Sequence, residues 1–310
     1  MTAPGFDVIV IGEGIAGLAA AGAAADSGAR TASFEATLFG GLVTNVNLLE
    51  PSPDPALTGG ADLAATMVGD NADRGVLSFA CGVDAIEASG TGFAVHTADG
   101  VHHARCVVIA TGARLRRLDI PGEDAFEGRG VSSCADCDGP LYRGRDVVVV
   151  GGGDSALQEA AVLAEFCRTV HLVHRGATVV GRADFAQRLA GHANVRVHPN
   201  AELTRIEGDA GVARVRGRRL DSGDAFEIAC EGVFAYVGLE PNDAVAPPQV
   251  MRDGSGRLLA DANGETSVGG LFAAGAIRSG CGGTLADARE DGIRAGRTAA
   301  ARRDRTEEER

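Results

Sequence analysis

The chain contains no tryptophan and only two tyrosines in 310 residues, and its net charge at neutral pH is -13. A nucleic-acid surface needs basic patches and aromatic platforms, so both shortages argue against that class of partner. No apolar run reaches the length of a bilayer span, and no membrane association is expected. The opening residues, Met1-Thr2-Ala3-Pro4-Gly5-Phe6-Asp7, carry no basic region and run straight into a strand. No signal peptide is therefore expected, and the cytoplasm is the default compartment. Seven cysteines, an odd number in a long chain, do not make a secreted disulfide framework.

What is present is a globular composition. Apolar residues make up 45%, enough for roughly two domains with cores of their own. The 45 glycines exceed average usage and point to tight turns and close backbone approaches.

The stretch Val131-Ser132-Ser133-Cys134-Ala135-Asp136-Cys137-Asp138-Gly139-Pro140 carries the chemistry. A Cys-x-x-Cys pair closes and opens a disulfide reversibly, and a helix N-terminus beside it lowers the pKa of one thiol. Asp138 is placed to donate or accept the proton that a leaving thiolate requires. The alternative is half of a structural zinc site, which needs four ligands. Cys81, Cys106, Cys167, Cys230 and Cys281 each stand alone, with no His pair at ligand spacing. Redox chemistry is therefore favoured over a metal.

Residues 7–11 form a short β-branched run, the pattern of a strand buried on both faces. Gly12-Glu13-Gly14-Ile15-Ala16-Gly17 follows, then an Ala-rich helix over 18–27 and a strand over 30–35. Glu35 lies 23 positions after the first glycine (35 − 12). This is a dinucleotide fingerprint, in which the glycines admit the pyrophosphate and Glu35 accepts from ribose hydroxyls. The competing reading is a tight strand-to-helix turn with no ligand.

Gly40-Gly41 opens a loop that continues through the Pro-rich segment 50–55, expected on the surface. A helix over 60–75 follows, then strands around 76–81, 85–87 and 93–97 with a hairpin turn at Ala98-Asp99-Gly100. Ala110-Thr111-Gly112 ends a buried strand, and the polar stretch 114–130 reads as a linker.

The pattern then repeats. Val147-Val148-Val149-Val150-Gly151-Gly152-Gly153-Asp154-Ser155-Ala156 matches the first fingerprint at an offset of 139 (147 − 8). His174-Arg175 stands where Glu35 stood, and basic groups there favour a 2′-phosphate, hence NADP. The competing reading for that pair is solvated surface. Residues 270–276 form a buried strand and turn, an Ala-rich helix covers 284–302, and 302–310 is expected to be a frayed charged tail. The expected fold is α/β, with two Rossmann-like, three-layer dinucleotide-binding domains, the second inserted in the first. The first comprises 1–114 plus 245–310, and the second, with the cysteines, 115–244.

Two dinucleotide folds with a Cys-x-x-Cys between them suggest a path from nicotinamide to flavin to disulfide. The chain resembles the low-molecular-weight thioredoxin reductase family over nearly its whole length. The resemblance is carried by Gly12–Gly17, Gly40-Gly41, Ala110–Gly112, the segment 128–139, Gly151–Ala156 and 270–275. It implies a homodimer with FAD on Gly12, Gly14, Ile15, Ala16, Gly17, Glu35, Gly40, Gly41, Ala110, Thr111, Gly112, Gly275 and Ala276. It places NADPH on Gly151, Gly153, Asp154, Ser155, Ala156, His174, Arg175 and Arg182. Carried over by position, Cys137 is the thiol nearer the flavin, Cys134 exchanges with substrate and Asp138 is the acid. The family also rotates one domain against the other, and 114–121 and 240–248 suit a hinge.

Departures from the family pattern point elsewhere. Gly176 replaces the second arginine of His-Arg-Arg, and Pro140-Leu141 replaces two phenylalanines that help dock thioredoxin. Ala276 replaces an aspartate that bonds the ribityl chain of FAD, and Cys281-Gly282-Gly283-Thr284 replaces the motif beside the flavin ring. Three functions are consistent with this pattern: an NADPH-dependent reductase of a thioredoxin-like or other dithiol partner; a flavin dithiol oxidase that passes electrons from a small-molecule or protein dithiol to oxygen; and a non-enzymatic redox sensor or binding protein with weakened flavin affinity. Cys281 reads either as a third redox thiol or as a small buried filler.

Overall fold

The computed structural model describes residues 5–49, 52 and 56–308. Most of the expected Pro-rich loop at 50–55 lies outside them. The chain divides into two compact units, Met1–Arg114 with Glu240–Arg310, and Leu115–Leu239.

The first unit begins β1 (Phe6–Ile11), α1 (Ile15–Asp26), β2 (Thr31–Phe34), α2 (Gly60–Asp73), β3 (Leu77–Phe79), β4 (Val83–Ser89), β5 (Gly92–Thr97) and β6 (Gly100–Ile109). The order in the sheet is β3-β2-β1-β6-β5-β4. β1 through β3 and β6 are parallel, whereas β4, β5 and the start of β6 form an antiparallel meander. Thr97 pairs with Gly100 across the expected hairpin turn. Side-chain alternation in β1 explains why this sheet is covered on both sides. Val8 and Val10 face a core with α1, while Ile9 and Ile11 face Phe34, Val95 and Leu271.

β7 (Ala113–Leu115) carries the chain into the second unit. There β8 (Val131–Ser132), α3 (Ala135–Asp138), β9 (Asp146–Val150), α4 (Asp154–Ala164), β10 (Thr169–Val173), α5 (Ala183–Ala190), β11 (Val195–His198), β12 (Ala201–Gly208), β13 (Val212–Arg219), β14 (Ala225–Ala229) and β15 (Gly232–Ala235) follow. Five strands form a parallel sheet in the order β11-β10-β9-β15-β8. Val147 and Val149 face α4, and Val148 and Val150 face the antiparallel sheet β12-β13-β14.

The segment 114–130 is not the open linker expected from its polarity. Phe126 is buried in the second core, and the buried Glu123 carboxylate takes the N–H groups of Leu118 and Asp119, each at 2.9 Å. Burying one aromatic and hydrogen-bonding two amide N–H groups fixes a stretch that composition alone reads as loose.

β16 (Leu239–Pro241) returns the chain and pairs with β7. The return falls ahead of the expected 245, because Asn242 is tied to the first unit. Its N–H donates to Gly112 O (3.1 Å), its Nδ2 to Thr111 O (2.9 Å), and Thr111 Oγ1 donates to Asn242 O (2.7 Å). β17 (Leu271–Ala273) joins the sheet beside the end of β6, and α6 (Leu285–Glu308) closes the unit. α6 extends well into the expected charged tail, since arginine and glutamate are good helix formers.

Candidate active site

The redox pair sits at the start of a very short helix. Cys134 and Cys137 form a disulfide, and Cys134 is also the N-cap of α3, its sulfur accepting the Cys137 N–H at 3.2 Å. Ser132 Oγ takes the Cys134 N–H at 3.2 Å. Cys137 is exposed, and Cys134 and Asp138 are half-buried. Between the two cysteines Ala135 is fully buried, packed in the same core as α4. α3 is thus pinned from below through Ala135, while Cys137 lies on its exposed side.

The first fingerprint forms the tight strand-to-helix turn its glycines require. Gly12 has φ +98°, and a Cβ there would lie 2.5 Å from Ala110 O. A Cβ at Gly17 would lie 1.8 Å from Gly12 O. Gly40 has φ +96°, bridges Gly14, and donates its N–H to Glu13 O at 2.6 Å. The N-terminus of α1 has no side-chain cap, and a Cβ at Gly14 would meet no described atom nearer than 3.9 Å. Orphan N–H groups facing open space suit a pyrophosphate. Glu35 accepts the Glu13 N–H at 2.9 Å and the Thr37 N–H at 3.0 Å, which holds its carboxylate at the end of β2.

Glu13 itself was not singled out by the sequence. Its carboxylate is buried and accepts the hydroxyls of Ser33 on β2 and Ser78 on β3. The middle position of a glycine fingerprint carries no local signal for this, because both serines lie far along the chain.

At the end of β17, Gly275 has φ +78° and approaches Ala16 of α1 so closely that a Cβ would come within 2.6 Å. Ala276 offers no polar group. A carboxylate nevertheless stands beside it. Asp291, 3% exposed, accepts the Gly275 N–H at 2.9 Å and Arg278 Nε at 2.7 Å. Sequence reading missed Asp291, since it is one of three acidic residues early in α6.

In the second unit Gly151 has φ +141°, and a Cβ there would meet Tyr236 O at 2.2 Å. Ala156 fills the position that Gly17 holds in the first copy and is completely buried. α4 likewise lacks a side-chain cap, and a Cβ at Gly153 would meet no described atom within 4 Å. Ser155 is exposed at this end. The Asp154 carboxylate accepts the Arg182 N–H at 2.6 Å.

The three basic residues are less available than their sequence suggests. His174 is buried against Gly152, and burial pushes its imidazole below the ordinary value. Arg175 pairs with Glu202 at 3.0 Å, and Arg182 grips Asp184 through two bonds of 3.1 and 2.7 Å.

The remaining thiols are scattered. Burial pushes Cys106 and Cys167 up to about 11 and Cys230 up to about 12, so none is a thiolate at neutral pH. Cys281 is half-buried, its N–H donating to Arg278 O at 3.4 Å. No helix among the described residues is long and apolar enough to cross a membrane.

Residues 6–300 match the family model described as pyridine nucleotide-disulphide oxidoreductase. The chain is 37% identical over 277 residues to thioredoxin reductase of Mycolicibacterium smegmatis, covering 87% of each chain. It is 34% identical over 279 residues to thioredoxin reductase of Treponema pallidum, covering 88% of this chain and 89% of that one. Among solved structures, Lactococcus lactis thioredoxin reductase superimposes with a TM-score of 0.91 at 31% identity, covering 97% of this chain and 99% of the other.

Proposed function

Since the chain belongs to the pyridine nucleotide-disulphide oxidoreductase family and is a flavin-dependent disulfide oxidoreductase of thioredoxin reductase type, we propose that Cys134 and Cys137 carry electrons between FAD and a disulfide partner. FAD takes the first fingerprint and NADPH the second. When bound, the flavin supplies two-electron exchange between a nicotinamide and the protein's disulfide. The observation that carries this reading is the presence, within one chain, of two uncapped fingerprint helices and a closed Cys-x-x-Cys disulfide.

The chain's own residues have separate tasks. The first-turn N–H groups of α1 and α4 take the pyrophosphates, and Glu35 accepts from a ribose hydroxyl. Ala110–Gly112, Gly40-Gly41 and Gly275-Ala276 line the approach with backbone. Once the disulfide is reduced, the Cys134 thiolate attacks the partner's disulfide, giving a mixed disulfide and releasing one partner thiol. Cys137 then displaces the second partner sulfur, and Asp138 holds the proton exchanged with that sulfur. The partner is a thioredoxin-like protein or a small disulfide, and the protein acts as a homodimer in the cytoplasm. Leu141, 70% exposed just after α3, offers an apolar contact to a protein partner.

A second reading, a dithiol oxidase using oxygen, is favoured by the carboxylates already bound to Arg175 and Arg182 and by the buried His174. A 2′-phosphate has fewer free cationic groups there. The experiment that separates the two is flavin absorbance of purified protein during anaerobic addition of NADPH. Rapid bleaching is expected for the reductase. A yellow protein that ignores NADPH, bleaches with a dithiol and recovers in air is the oxidase. A colourless protein overturns both and leaves the redox sensor.

A further inference from the structure

Beneath the redox pair lies a half-buried carboxyl group that the reading above does not use. Glu159 projects from the middle of α4, and its Oε2 accepts the N–H of Ala135 at 3.1 Å. Ala135 is the first residue of α3 and follows Cys134 directly. The same oxygen accepts the hydroxyl of Tyr236 at 3.2 Å, from a residue just beyond β15 that is itself buried. Both partners are donors, which suits an ionised carboxylate.

The charged groups around it are few. Burial pushes the Glu159 carboxyl above its usual range, and Asp136 adds in the same direction, while the Ala135 N–H and the Tyr236 hydroxyl oppose them. The phenol of Tyr236 is pushed up by burial first and by Glu159 next. No cation is among these influences.

A Cys-x-x-Cys pair owes its thiolate to free N–H groups and positive potential at a helix start. Here the first N–H of α3 is already spoken for, and by an anion. We propose that Glu159 is a positioning residue for the Cys134–Cys137 pair: it grips the Ala135 amide from below, disfavours the thiolate, and makes the pair a stronger reductant than an unopposed helix start would. The inference rests on the reading of these cysteines as a redox pair. A negative group near the sulfurs destabilises the reduced form more than the disulfide, because only the reduced form acquires charge.

The test is the equilibrium of the whole protein with dithiothreitol and its cyclic disulfide. In that reaction the Cys134–Cys137 bond breaks, the ring disulfide of the oxidised reagent forms, and the two protons of the reagent pass to the protein thiols. Alkylation and mass measurement give the reduced fraction, and ultraviolet thiolate absorbance against pH gives the titration midpoint of the more acidic thiol. Glu159→Gln is expected to shift the equilibrium about tenfold toward the dithiol, ~30 mV for a two-electron couple, and to lower the thiol midpoint. Glu159→Asp keeps the charge but shortens the reach to Ala135, so it is expected between the two.

A residue that only supported the fold would lower the unfolding midpoint without moving the thiol titration. If the wild-type pair equilibrates and neither reading moves in Glu159→Gln, the inference is overturned and the redox reading stands. Should Glu159→Gln not unfold cooperatively, Glu159→Asp decides, and an unchanged equilibrium there overturns the inference. A wild-type pair that takes up no electrons at any reagent ratio overturns the redox reading, and the inference with it.

Discussion

Asp291 and Arg278 illustrate how a residue's task can be set by neighbours far along the chain. Ala276 removes a polar group from the turn after β17, yet Gly275 still finds a carboxylate, because Asp291 reaches it from α6. That carboxylate is 3% exposed and shared with a guanidinium that is 14% exposed. Such a pair contributes little net stability over an apolar replacement, but loss of one partner strands the other. Asp291→Ala is therefore expected to cost on the order of 3–5 kcal/mol in urea unfolding, whereas the double change Asp291→Leu with Arg278→Met recovers only part of it, because the Gly275 N–H stays unpaired. The fingerprint glycines were legible in the sequence because each must satisfy a local backbone demand. Asp291, Glu13 and Glu159 were not, because their partners (Gly275, Ser33 and Ser78, Ala135) lie 16 or more positions away.

Among the elements, α1 and α6 meet through the smallest possible surface. α1 is made of alanine, glycine, isoleucine and leucine up to its last residue, and it is buried from Ile15 to Ala24. Gly292 and Gly296 of α6 lie directly against its backbone, where a Cβ would approach Ala16 O to 2.1 Å and Ala20 O to 2.2 Å. A methyl group has nowhere to go without driving the helices apart. Gly292→Ala is expected to lower stability by about 1–3 kcal/mol. Gly69, exposed within α2, provides the control. A Cβ there meets no described atom within 4 Å, and Gly69→Ala is expected to raise stability by roughly 0.5–1 kcal/mol. Denaturant titration of the two variants checks both signs. The sequence marked both segments as Ala-rich helices. It could not mark them as partners, since small residues read the same against solvent, sheet or helix.

For the whole molecule, the repeated strand-turn-helix unit is the strongest long-range statement in the sequence, and the parallel strands of the two large sheets follow it. The second unit is one continuous stretch with its own buried clusters on both faces of its sheet. A fragment 115–239 is accordingly expected to fold alone, with a sigmoidal urea transition followed by circular dichroism; a broad, non-cooperative curve would argue that it depends on the rest of the chain. The first unit is split by the insertion and has no such contiguous fragment. By itself the sequence determined the two fingerprints, the cysteine pair and the alternation of strands and helices, because these rest on local geometry and on periodicities of two and 3.6 residues. The three-stranded sheet β12-β13-β14 went unread, its polar strand β12 and arginine-rich strand β13 resembling solvated surface until their apolar residues met β9 and β10. Only the tertiary structure decided which carboxylate reaches which amide. Burial and charge pairing depend on distances through space, and these the order of residues does not display.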